Sequence, residues 1–481
     1  MVQGVEIKDG FIQNVNPATG ALITPLVPVS TPDQVAEAIT LANRTQQTTW
    51  SALPLPKRIE LLREGVANIE GIREELIATI TKEMGKITAE STDEVDAAIG
   101  LKRKWLNMVQ EANEDERLGD GTSESVIVRD PLGVVVVISP WNFPAGEIPL
   151  LALPALAAGN AVIVKPSEVT PLTGALLTNA IAKALPVGTL QLLQGDGVVG
   201  EQLVSSPDVH MVAMTGSSAT GKKIMEKCAM NLKRIVLELG GKDPMIVFAD
   251  ADLDKAANEA VLFSLSNAGQ VCCAVERIYV EESVKPQFEQ KVVEIAKSWK
   301  IGNPNDEGVN MGPMVTEMQR EKVREQVAKA KECGAKVLYE SDAPEKGNFQ
   351  AITVLSELKQ DMLIQTDETF GPVVALATFD GSEEEAVRLA NDTEYGLASY
   401  VYTGDLEKGG RVARRIRSGQ VGINCYSIIK AQPKCPWIGH KQSGFGSHSG
   451  MDGFRSFSGT CYYNSTFLIY FVSFFSFGQT I

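Results

Sequence analysis

Two adjacent cysteines, Cys272 and Cys273, stand in the stretch SNAGQVCCAVER. A cysteine thiolate is a strong nucleophile, and a nearby cation or helix terminus allows the thiolate to form at neutral pH. Buried cysteines are more often packing residues, however, and adjacent cysteines form a disulfide only with strain. The pair is therefore either a reactive site or part of the core, and other residues have to decide.

Two polar residues could assist such a nucleophile. Glu238 ends the apolar run RIVLE, and burial would raise the pKa of its carboxyl and make it a general base near neutral pH. Asn142 follows the run VVVVIS in the motif PWNFP, and its amide could stabilise an oxyanion. Both residues also have a structural interpretation, as a strand-end carboxylate facing water and a capping asparagine.

Two glycine-rich loops could bind phosphate groups. The first contains GxGxxG from Gly195 to Gly200 but lacks the acidic residue expected about 20 positions later. The second, TGSSATG, lies between an apolar run and a helical segment, where Gly216 and Ser217 could present backbone amides to a pyrophosphate. Its residues do not follow the order of a P-loop, and either loop could simply turn the chain.

Two further pairs could hold ribose hydroxyls and a flat ring. Lys165 and Glu168 follow the run AVIV, and a carboxylate there can bind a ribose diol and repel a 2′-phosphate. Alternatively, Glu168 caps the next helix. Glu368 and Phe370 in the segment ETFGP could bind a second ribose and pack against a ring.

Composition limits the classes of function. The 481 residues carry a formal charge of −15 and contain no basic run, which disfavours nucleic-acid binding. With three histidines and seven cysteines that lack zinc spacing, we expect no metal site. The cysteine pattern favours a reducing compartment, and no targeting signal is visible in MVQGVEIKDG, so we expect a cytoplasmic protein.

Apolar runs predict the elements that position these residues. Runs from VVVVIS to MIVFA alternate with helical segments after residue 133, which indicates a parallel sheet covered on both faces. A second α/β unit is predicted beyond a boundary near Gly240 and Gly241, with strands at RIYVEE, VVALATF, SYVYT and QVGIN. Such sheets bind ligands beyond the carboxyl ends of their strands.

The two ends of the chain differ from this pattern. Three surface helices are predicted over 31–48, 55–84 and 89–111, and a projecting hairpin over 117–133. The stretch 460–481 is aromatic and uncharged, but its apolar run is shorter than the ~20 residues of a membrane helix. We therefore expect no membrane span and interpret this tail as the product of an altered reading frame or a misplaced exon boundary rather than as a membrane or partner anchor.

In their order along the chain, PWNFP, KPSE, TGSSATG, ELGG, GQxC and ExFGP resemble the aldehyde dehydrogenase superfamily. The resemblance extends from NPATG near Asn16 to KQSGFG at Lys441. It implies an α/β fold with a Rossmann-like cofactor domain, an α/β catalytic domain and a small β oligomerisation element, which makes a homodimer or homotetramer. The implied domain bounds are 1–112 with 132–240, then 241–437, and finally 113–131 with 438–481.

The resemblance also implies a role for each motif. Cys272 would be the nucleophile and Cys273 a bystander, Asn142 would donate to the oxyanion together with the Cys272 N–H, and Glu238 would be the general base. The cofactor, NAD or else NADP, would contact Trp141, Lys165, Glu168, Gly216, Ser217, Glu368 and Phe370.

The implied reaction oxidises an aldehyde to a carboxylic acid through a thiohemiacetal and a thioester on the nucleophile. Glu168 would favour NAD over NADP by charge repulsion, and Glu147, near the start of the family's substrate tunnel, could favour a polar or cationic aldehyde. Two other interpretations stay open: a catalytically silent binding protein with the same fold, and an acylating enzyme that transfers the product to coenzyme A.

Two segments depart from the family pattern. Trp437 stands where the family has a different residue, which changes the rim of the pocket. Beyond Ser458, the aromatic tail replaces the expected polar strand, and we therefore expect weak assembly or aggregation.

Overall fold

The computed structural model describes residues 5–100, 104–119, 123–426 and 431–466. Its helices are α1 (Pro32–Thr45), α2 (Leu55–Glu70), α3 (Arg73–Met84), α4 (Thr88–Gly100), α5 (Lys104–Ala112), α6 (Glu147–Ala157), α7 (Pro171–Ala182), α8 (Gly197–Ser205), α9 (Ser218–Ala229), α10 (Leu253–Leu265), α11 (Lys285–Ser298), α12 (Glu317–Glu332), α13 (Leu363–Thr366), α14 (Glu383–Asn391), α15 (Leu406–Ala413) and α16 (Gly450–Arg455). Its strands are β1 (Ile7–Lys8), β2 (Phe11–Ile12), β3 (Val27–Pro28), β4 (Glu116–Gly119), β5 (Ser123–Pro131), β6 (Val134–Ile138), β7 (Ala161–Lys165), β8 (Leu190–Leu192), β9 (Met211–Thr215), β10 (Arg234–Glu238), β11 (Asp243–Val247), β12 (Val275–Glu281), β13 (Lys336–Glu340), β14 (Thr353–Ser356), β15 (Val373–Phe379), β16 (Ala398–Tyr402), β17 (Gln420–Ile423), β18 (Gly444–Phe445) and β19 (Ser458–Thr466).

The first large sheet has the strand order β18-β10-β9-β6-β7-β8 and is parallel except at β18. Its inner strands are rich in Val, Ile and other apolar residues and are almost fully buried, because helices cover both faces. From β6 the chain proceeds outward through β7 and β8, then returns to place β9 on the other side of β6. This reversal creates a crevice between the loops that follow β6 and β9, where doubly wound sheets bind their ligands.

The second large sheet has the order β13-β14-β15-β12-β11-β16-β17 and is antiparallel only between β13 and β14. The run MIVFA, which we grouped with the first set of strands, belongs here, because β11 pairs with β12 and β16. The predicted strands RIYVEE, VVALATF, SYVYT and QVGIN correspond to β12, β15, β16 and β17. Patterning did not predict β13, which is largely exposed, or β14, which is buried but only four residues long.

The predicted hairpin is present: β4 and β5 pair antiparallel, with Glu116 opposite Ile127 and Gly119 opposite Glu124. Although its sequence departs from the polar strand that the family pattern led us to expect, the C-terminal strand is present in the described residues. β19 pairs with all nine residues of β5, from Ser458 opposite Pro131 to Thr466 opposite Ser123. Backbone hydrogen bonds form the ladder whatever the side chains are, so an aromatic sequence can take this position. Residues 467–481 of the predicted tail lie outside the described residues.

The N-terminal helices differ from the prediction in number and in burial. The segment 55–84 forms two helices that separate at Gly71 and Ile72, and the segment 89–111 is described as α4 and α5 on either side of residues 101–103. These helices are not confined to the surface, because Leu62, Val66 and Val95 are fully buried in the core around α6 and α7. In the described ranges, no helix is long and apolar enough to cross a membrane.

Candidate active site

Two loops form the centre of the site. The asparagine loop (139–146) follows β6 and contains Asn142, which is buried. The cysteine loop (266–273) follows α10 and contains Cys272, which is partly exposed, and Cys273, which is 1% exposed. The Nδ2 of Asn142 donates to the carbonyl oxygen of Gln270 at 3.1 Å, so the two loops are in direct contact next to Cys272.

An unusual backbone turn shapes the cysteine loop. Asn267 and Ala268 both lie in the left-handed region, with φ of 53° and 55°, and Gly269 follows with φ of 73°. A Cβ at Gly269 would lie 2.2 Å from the carbonyl oxygen of Gly371, so only glycine fits there. Gln270 is fully buried: its Nε2 donates to the Asn267 carbonyl at 3.0 Å and its Oε1 accepts from the Val315 N–H at 3.0 Å. The Gln of the GQxC motif therefore holds the shape of the loop.

The two thiols interact with each other. The contact with Cys273, together with burial, raises the pKa of the Cys272 thiol well above its usual value. The same contact lowers the pKa of Cys273, whose Sγ lies 2.9 Å from the Tyr426 hydroxyl. The hydroxyls of Tyr400 and Tyr426 donate to the Cys273 carbonyl at 2.6 and 3.0 Å. Sequence patterning did not indicate these tyrosines, which stand more than a hundred positions away.

Glu238 lies at the end of β10, next to Thr215 of β9 in the register of the sheet. Its carboxyl is 2% exposed, and among the described residues neither of its oxygens has a hydrogen-bond partner. Burial first, and then the negative charge of Glu147, raise the pKa of Glu238 well above its usual value, while a weak hydrogen-bonding contact with the Trp437 indole, outside normal hydrogen-bond geometry, opposes the shift. A buried carboxyl with free oxygens and a raised pKa can accept a proton from a water near neutral pH.

Glu147 is the first residue of α6, directly after the asparagine loop. Its Oε2 accepts from the Thr215 hydroxyl at 3.1 Å, and burial raises the pKa of its carboxyl to about 7. Its charge also raises the pKa of both Glu238 and Cys272. Glu147 therefore lies within electrostatic range of both groups, in the interior of the site.

The loop at Gly216 and Ser217 lies at the carboxyl end of β9, beside the crevice where the order of the strands reverses. Ser217 caps α9 by accepting from the Thr220 N–H at 3.3 Å. A Cβ at Gly216 would lie 2.4 Å from the terminal methyl of Met214, a flexible side chain that would have to move to accept a larger residue. The exposed start of a 12-residue helix at a strand reversal is a suitable place for a pyrophosphate.

Lys165 and Glu168 lie at the end of β7, one strand further from the reversal. The Nζ of Lys165 is 3.6 Å from the Glu168 carboxylate but also donates to the carbonyl oxygens of Pro166 and Gly195, at 2.8 and 2.6 Å. Burial lowers the pKa of Lys165. The loop at Gly195 therefore lies next to Lys165 at the edge strand β8, away from the central crevice.

Glu368 and Phe370 reach the site from the second sheet. The Glu368 carboxylate accepts from the Gly241 N–H at 3.0 Å, and burial raises the pKa of this carboxyl to about 7. The Phe370 ring meets Trp141 of the asparagine loop edge to face, with centroids 5.4 Å apart. A Cβ at Gly241 would lie 2.5 Å from the Cys272 carbonyl oxygen, which places this region beside the nucleophile candidate.

A buried ion pair that the sequence did not reveal supports this segment. The Nζ of Lys242 lies 2.7 Å from the Glu276 carboxylate, and that carboxylate also accepts from the N–H groups of Thr369 and Phe370, both at 2.8 Å. Breaking one partner of such a pair leaves an unpaired buried charge, at a cost of about 3–5 kcal/mol. The pair therefore fixes Phe370, whose φ of 54° is left-handed. In the sequence, the only sign of this ion pair is that each of its charged residues lies in an otherwise apolar segment.

Comparisons with known proteins identify the family and the fold. The family model described as "Aldehyde dehydrogenase family" matches residues 5–461. Aminoaldehyde dehydrogenase 1, peroxisomal, from Pisum sativum is 38% identical over 470 residues, which cover 94% of this chain and 92% of that protein. Betaine aldehyde dehydrogenase from Staphylococcus aureus, solved in complex with NAD+, superposes with a TM-score of 0.90 at 34% identity, over 96% of this chain and 93% of the other. An NAD-dependent aldehyde dehydrogenase from Sinorhizobium meliloti gives a TM-score of 0.91 at 33% identity, over 95% and 91% of the two chains.

Proposed function

This chain belongs to the aldehyde dehydrogenase family and is an NAD-dependent oxidoreductase that converts an aldehyde to a carboxylic acid, and from this premise we propose which of its residues carry the reaction. Cys272 is the nucleophile, Asn142 stabilises the oxyanion, and Glu238 activates water. The observation that carries this proposal is the hydrogen bond from the Asn142 amide to the Gln270 carbonyl, two residues before Cys272.

In the first half of the reaction, the Cys272 thiol loses its proton to solvent, and the thiolate attacks the carbonyl carbon and forms a C–S bond. The carbonyl oxygen becomes an oxyanion, which the Asn142 amide and the Cys272 N–H stabilise. The hydride leaves as the C=O bond forms again, and NAD+ held in the crevice would supply its acceptor. Cys272 then holds the product acyl group as a thioester.

In the second half, Glu238 takes a proton from water, and the hydroxide attacks the thioester carbon. The C–S bond breaks, and the carboxylic acid and the Cys272 thiolate are released. The buried carboxyl of Glu238 supports this role, because the described residues offer it no more than the weak contact with the Trp437 indole, and a carboxylate held by strong protein donors would be a weaker base.

The residues around the crevice suit a dinucleotide. The start of α9 with Gly216 and Ser217 would hold the pyrophosphate, with Trp141 beside it. Glu168 would bind the adenosine ribose, with Lys165 orienting its carboxylate at 3.6 Å, and would disfavour NADP by repelling the 2′-phosphate. Glu368 and Phe370 would contact the second ribose and the ring.

We further propose that the substrate is a cationic aldehyde. Glu147 adds a second carboxyl to the interior of the site, and a cation nearby would stabilise its ionised form. The relatives from pea and Staphylococcus aureus are named for aminoaldehydes and betaine aldehyde, which are cationic.

The sheet formed by β4, β5 and β19 supports the proposal of a homodimer or homotetramer. β19 and β4 are its two edges, and Leu118, Tyr462 and Tyr463 are exposed on it. An exposed edge strand with aromatic side chains pairs readily with a second copy. Light scattering on the full chain separates a defined oligomer from an aggregate, and a stable monomer would contradict the proposal.

A cytoplasmic location is also a proposal. All seven cysteines are free, which suits a reducing compartment. The pea relative is named as peroxisomal, so imaging of a tagged full-length chain against a peroxisomal marker is the relevant test.

The test of the catalytic proposal is an aldehyde panel with NAD and NADP, run on the wild type and on Cys272→Ser. We expect NADH formation that depends on aldehyde, is abolished in the variant, and gives free acid whether or not coenzyme A is present. Acyl-coenzyme A as the main product would assign an acylating enzyme, and full activity of Cys272→Ser would refute the proposed nucleophile.

A further inference from the structure

Helix α4 reaches both loops of the site with two carboxylates that stand one turn apart. The Oε1 of Glu90 accepts from the backbone N–H of Asn267 in the cysteine loop at 2.7 Å. The Oε1 of Glu94 accepts from the backbone N–H groups of Ala145 and Gly146 in the asparagine loop, at 2.7 and 2.9 Å. Because residues four apart share one face of a helix, a single rigid element sets the position of both loops.

The cysteine loop needs such an anchor. A left-handed conformation costs roughly 1–2 kcal/mol for each residue other than glycine, and two of these residues follow one another here. Asn267 is 6% exposed, so without Glu90 its N–H would be a buried donor that lacks this acceptor. The bond from Glu90 therefore stabilises the turn that precedes the nucleophile.

The side chain of Asn267 passes this constraint on to the oxyanion donor. Its Nδ2 donates to the carbonyl oxygens of Asn142 at 3.3 Å and of Gln270 at 3.1 Å. The same Gln270 oxygen accepts from the Asn142 amide. The spacing between Asn142 and the cysteine loop thus depends on where Glu90 holds Asn267.

Glu94 fixes the other loop in a comparable way. It is paired with Lys86 at 2.5 Å, and both side chains are buried. The Lys86 ammonium lies 3.6 Å from the centre of the Phe143 ring, next to Asn142 in the chain. Because Glu94 neutralises this buried cation, its replacement would threaten folding, and Glu90 is the better residue to test.

We propose that Glu90 is a positioning residue, whose hydrogen bond to Asn267 sets the distance between the Asn142 amide and Cys272. This inference rests on the roles proposed above for Asn142 and Cys272. Glu90 touches neither of the reacting side chains, so its effect must pass through Asn267. It should change the formation of the C–S bond and the hydride transfer, and it should leave cofactor affinity unaltered.

The first test compares Glu90→Ala with Glu90→Gln in the full-length enzyme. Alanine removes the acceptor, whereas the amide oxygen of glutamine can still accept from the Asn267 N–H. A displacement of about 1 Å can cost about 100-fold in rate, so we expect single-turnover NADH formation to fall roughly 10- to 100-fold in Glu90→Ala. We expect Glu90→Gln to retain most of the rate and NADH affinity to stay the same in both variants.

Two variants are matched controls. Asp93→Ala removes an exposed carboxylate from the same helix and should leave the rate unchanged. Glu83→Gln alters another buried carboxylate, which accepts from the Leu172 and Thr173 N–H groups at the start of α7, at 2.9 and 2.8 Å. It should lower the melting temperature without slowing the single turnover of the folded enzyme.

A second variant keeps the inference testable if Glu90→Ala does not fold. Asn267→Gly keeps the N–H for Glu90 and suits the left-handed backbone, but it removes the side chain that joins the two loops. We expect the same loss of single-turnover rate, and slower labelling of Cys272 by iodoacetamide without any cofactor.

Three results would overturn the inference. They are a normal rate in folded Glu90→Ala or Asn267→Gly, equal losses in Glu90→Ala and Glu90→Gln, and a loss that Glu83→Gln reproduces. Failure of the underlying catalytic proposal gives a different result, because Cys272→Ser would then still form NADH.

Discussion

Replacing Glu238 with glutamine tests the second half of the reaction. The carboxyl is 2% exposed and has no hydrogen-bond partner among the described residues, so the nearly isosteric amide should fit the same space. Loss of a general base costs about 10²- to 10⁴-fold, which corresponds to about 3–5 kcal/mol of barrier at 1.36 kcal/mol for each factor of ten. The expected change is in hydrolysis of the thioester, because Glu238 has no part in forming it.

Rapid-mixing measurement of NADH separates the two halves. Glu238→Gln should give a burst of about one NADH per active site and then a steady rate reduced by the factor above, because the acyl-enzyme accumulates. Intact-mass spectrometry of the stopped reaction should show the acyl group on the protein. A variant without a burst, or with an unchanged steady rate, would refute the assignment of Glu238 as the base for hydrolysis.

The pH profile gives an independent check of the same residue. Glu238 acts as a base only when it is ionised, and burial raises its pKa, so kcat should rise with pH through a value above the usual carboxyl range. The charge of Glu147 adds to this rise in pKa, so Glu147→Gln should move the ascending limb of kcat to lower pH. If the ascending limb of kcat lies at the same pH in Glu147→Gln as in the wild type, the two carboxyls do not interact.

Four further variants have defined outcomes. Cys272→Ser should abolish NADH formation and iodoacetamide labelling of the active site, whereas Cys273→Ser should keep most of the activity; the opposite pattern would reassign the nucleophile. Glu147→Gln should lower kcat/KM more for cationic than for neutral aldehydes of the same length, and equal changes would refute the proposed substrate charge. Burial lowers the pKa of His448 to about 4, from 6.5 in the unfolded chain, so its contribution to the free energy of unfolding is present above pH 6.5 and is lost as the pH falls to about 4. The full loss is about 3 kcal/mol at 1.36 kcal/mol per unit, and His448→Asn should remove this pH dependence from urea unfolding curves.

The sequence predicted the strands of both large sheets best where apolar runs are continuous, as in β6 and β12, because a strand covered on both faces needs no polar alternation. Motifs at the ends of β6 and β9 then placed Asn142 and Gly216 at the same edge of the first large sheet. The sequence beyond Ser458 departs from the expected polar strand, yet β19 forms through its backbone ladder with β5, which side-chain composition alone does not report.

Contacts between distant segments could not be predicted in the same way. Glu90 and Asn267 are 177 positions apart, and α4 shows the charged pattern of a surface helix, so nothing local indicates that Glu90 accepts a backbone N–H beside the nucleophile. Lys242 and Glu276 likewise look like ordinary charged residues until the fold buries them together. Single-sequence patterning reports periodicity within an element, and these contacts depend on how elements meet.

The cysteine pair shows why acidity alone does not identify a nucleophile. Cys273 has the lowered pKa, but its Sγ lies 2.9 Å from the Tyr426 hydroxyl and the residue is 1% exposed, so an aldehyde has no path to it. The pKa of Cys272 is raised, yet Cys272 is the partly exposed thiol, two residues from the carbonyl that binds Asn142. Access and the oxyanion donor therefore favour Cys272, and its raised pKa means that the resting enzyme holds a thiol there. The rate of iodoacetamide labelling of Cys272 should consequently rise with pH well beyond neutrality, and a rate that is already maximal at pH 6 would contradict this account.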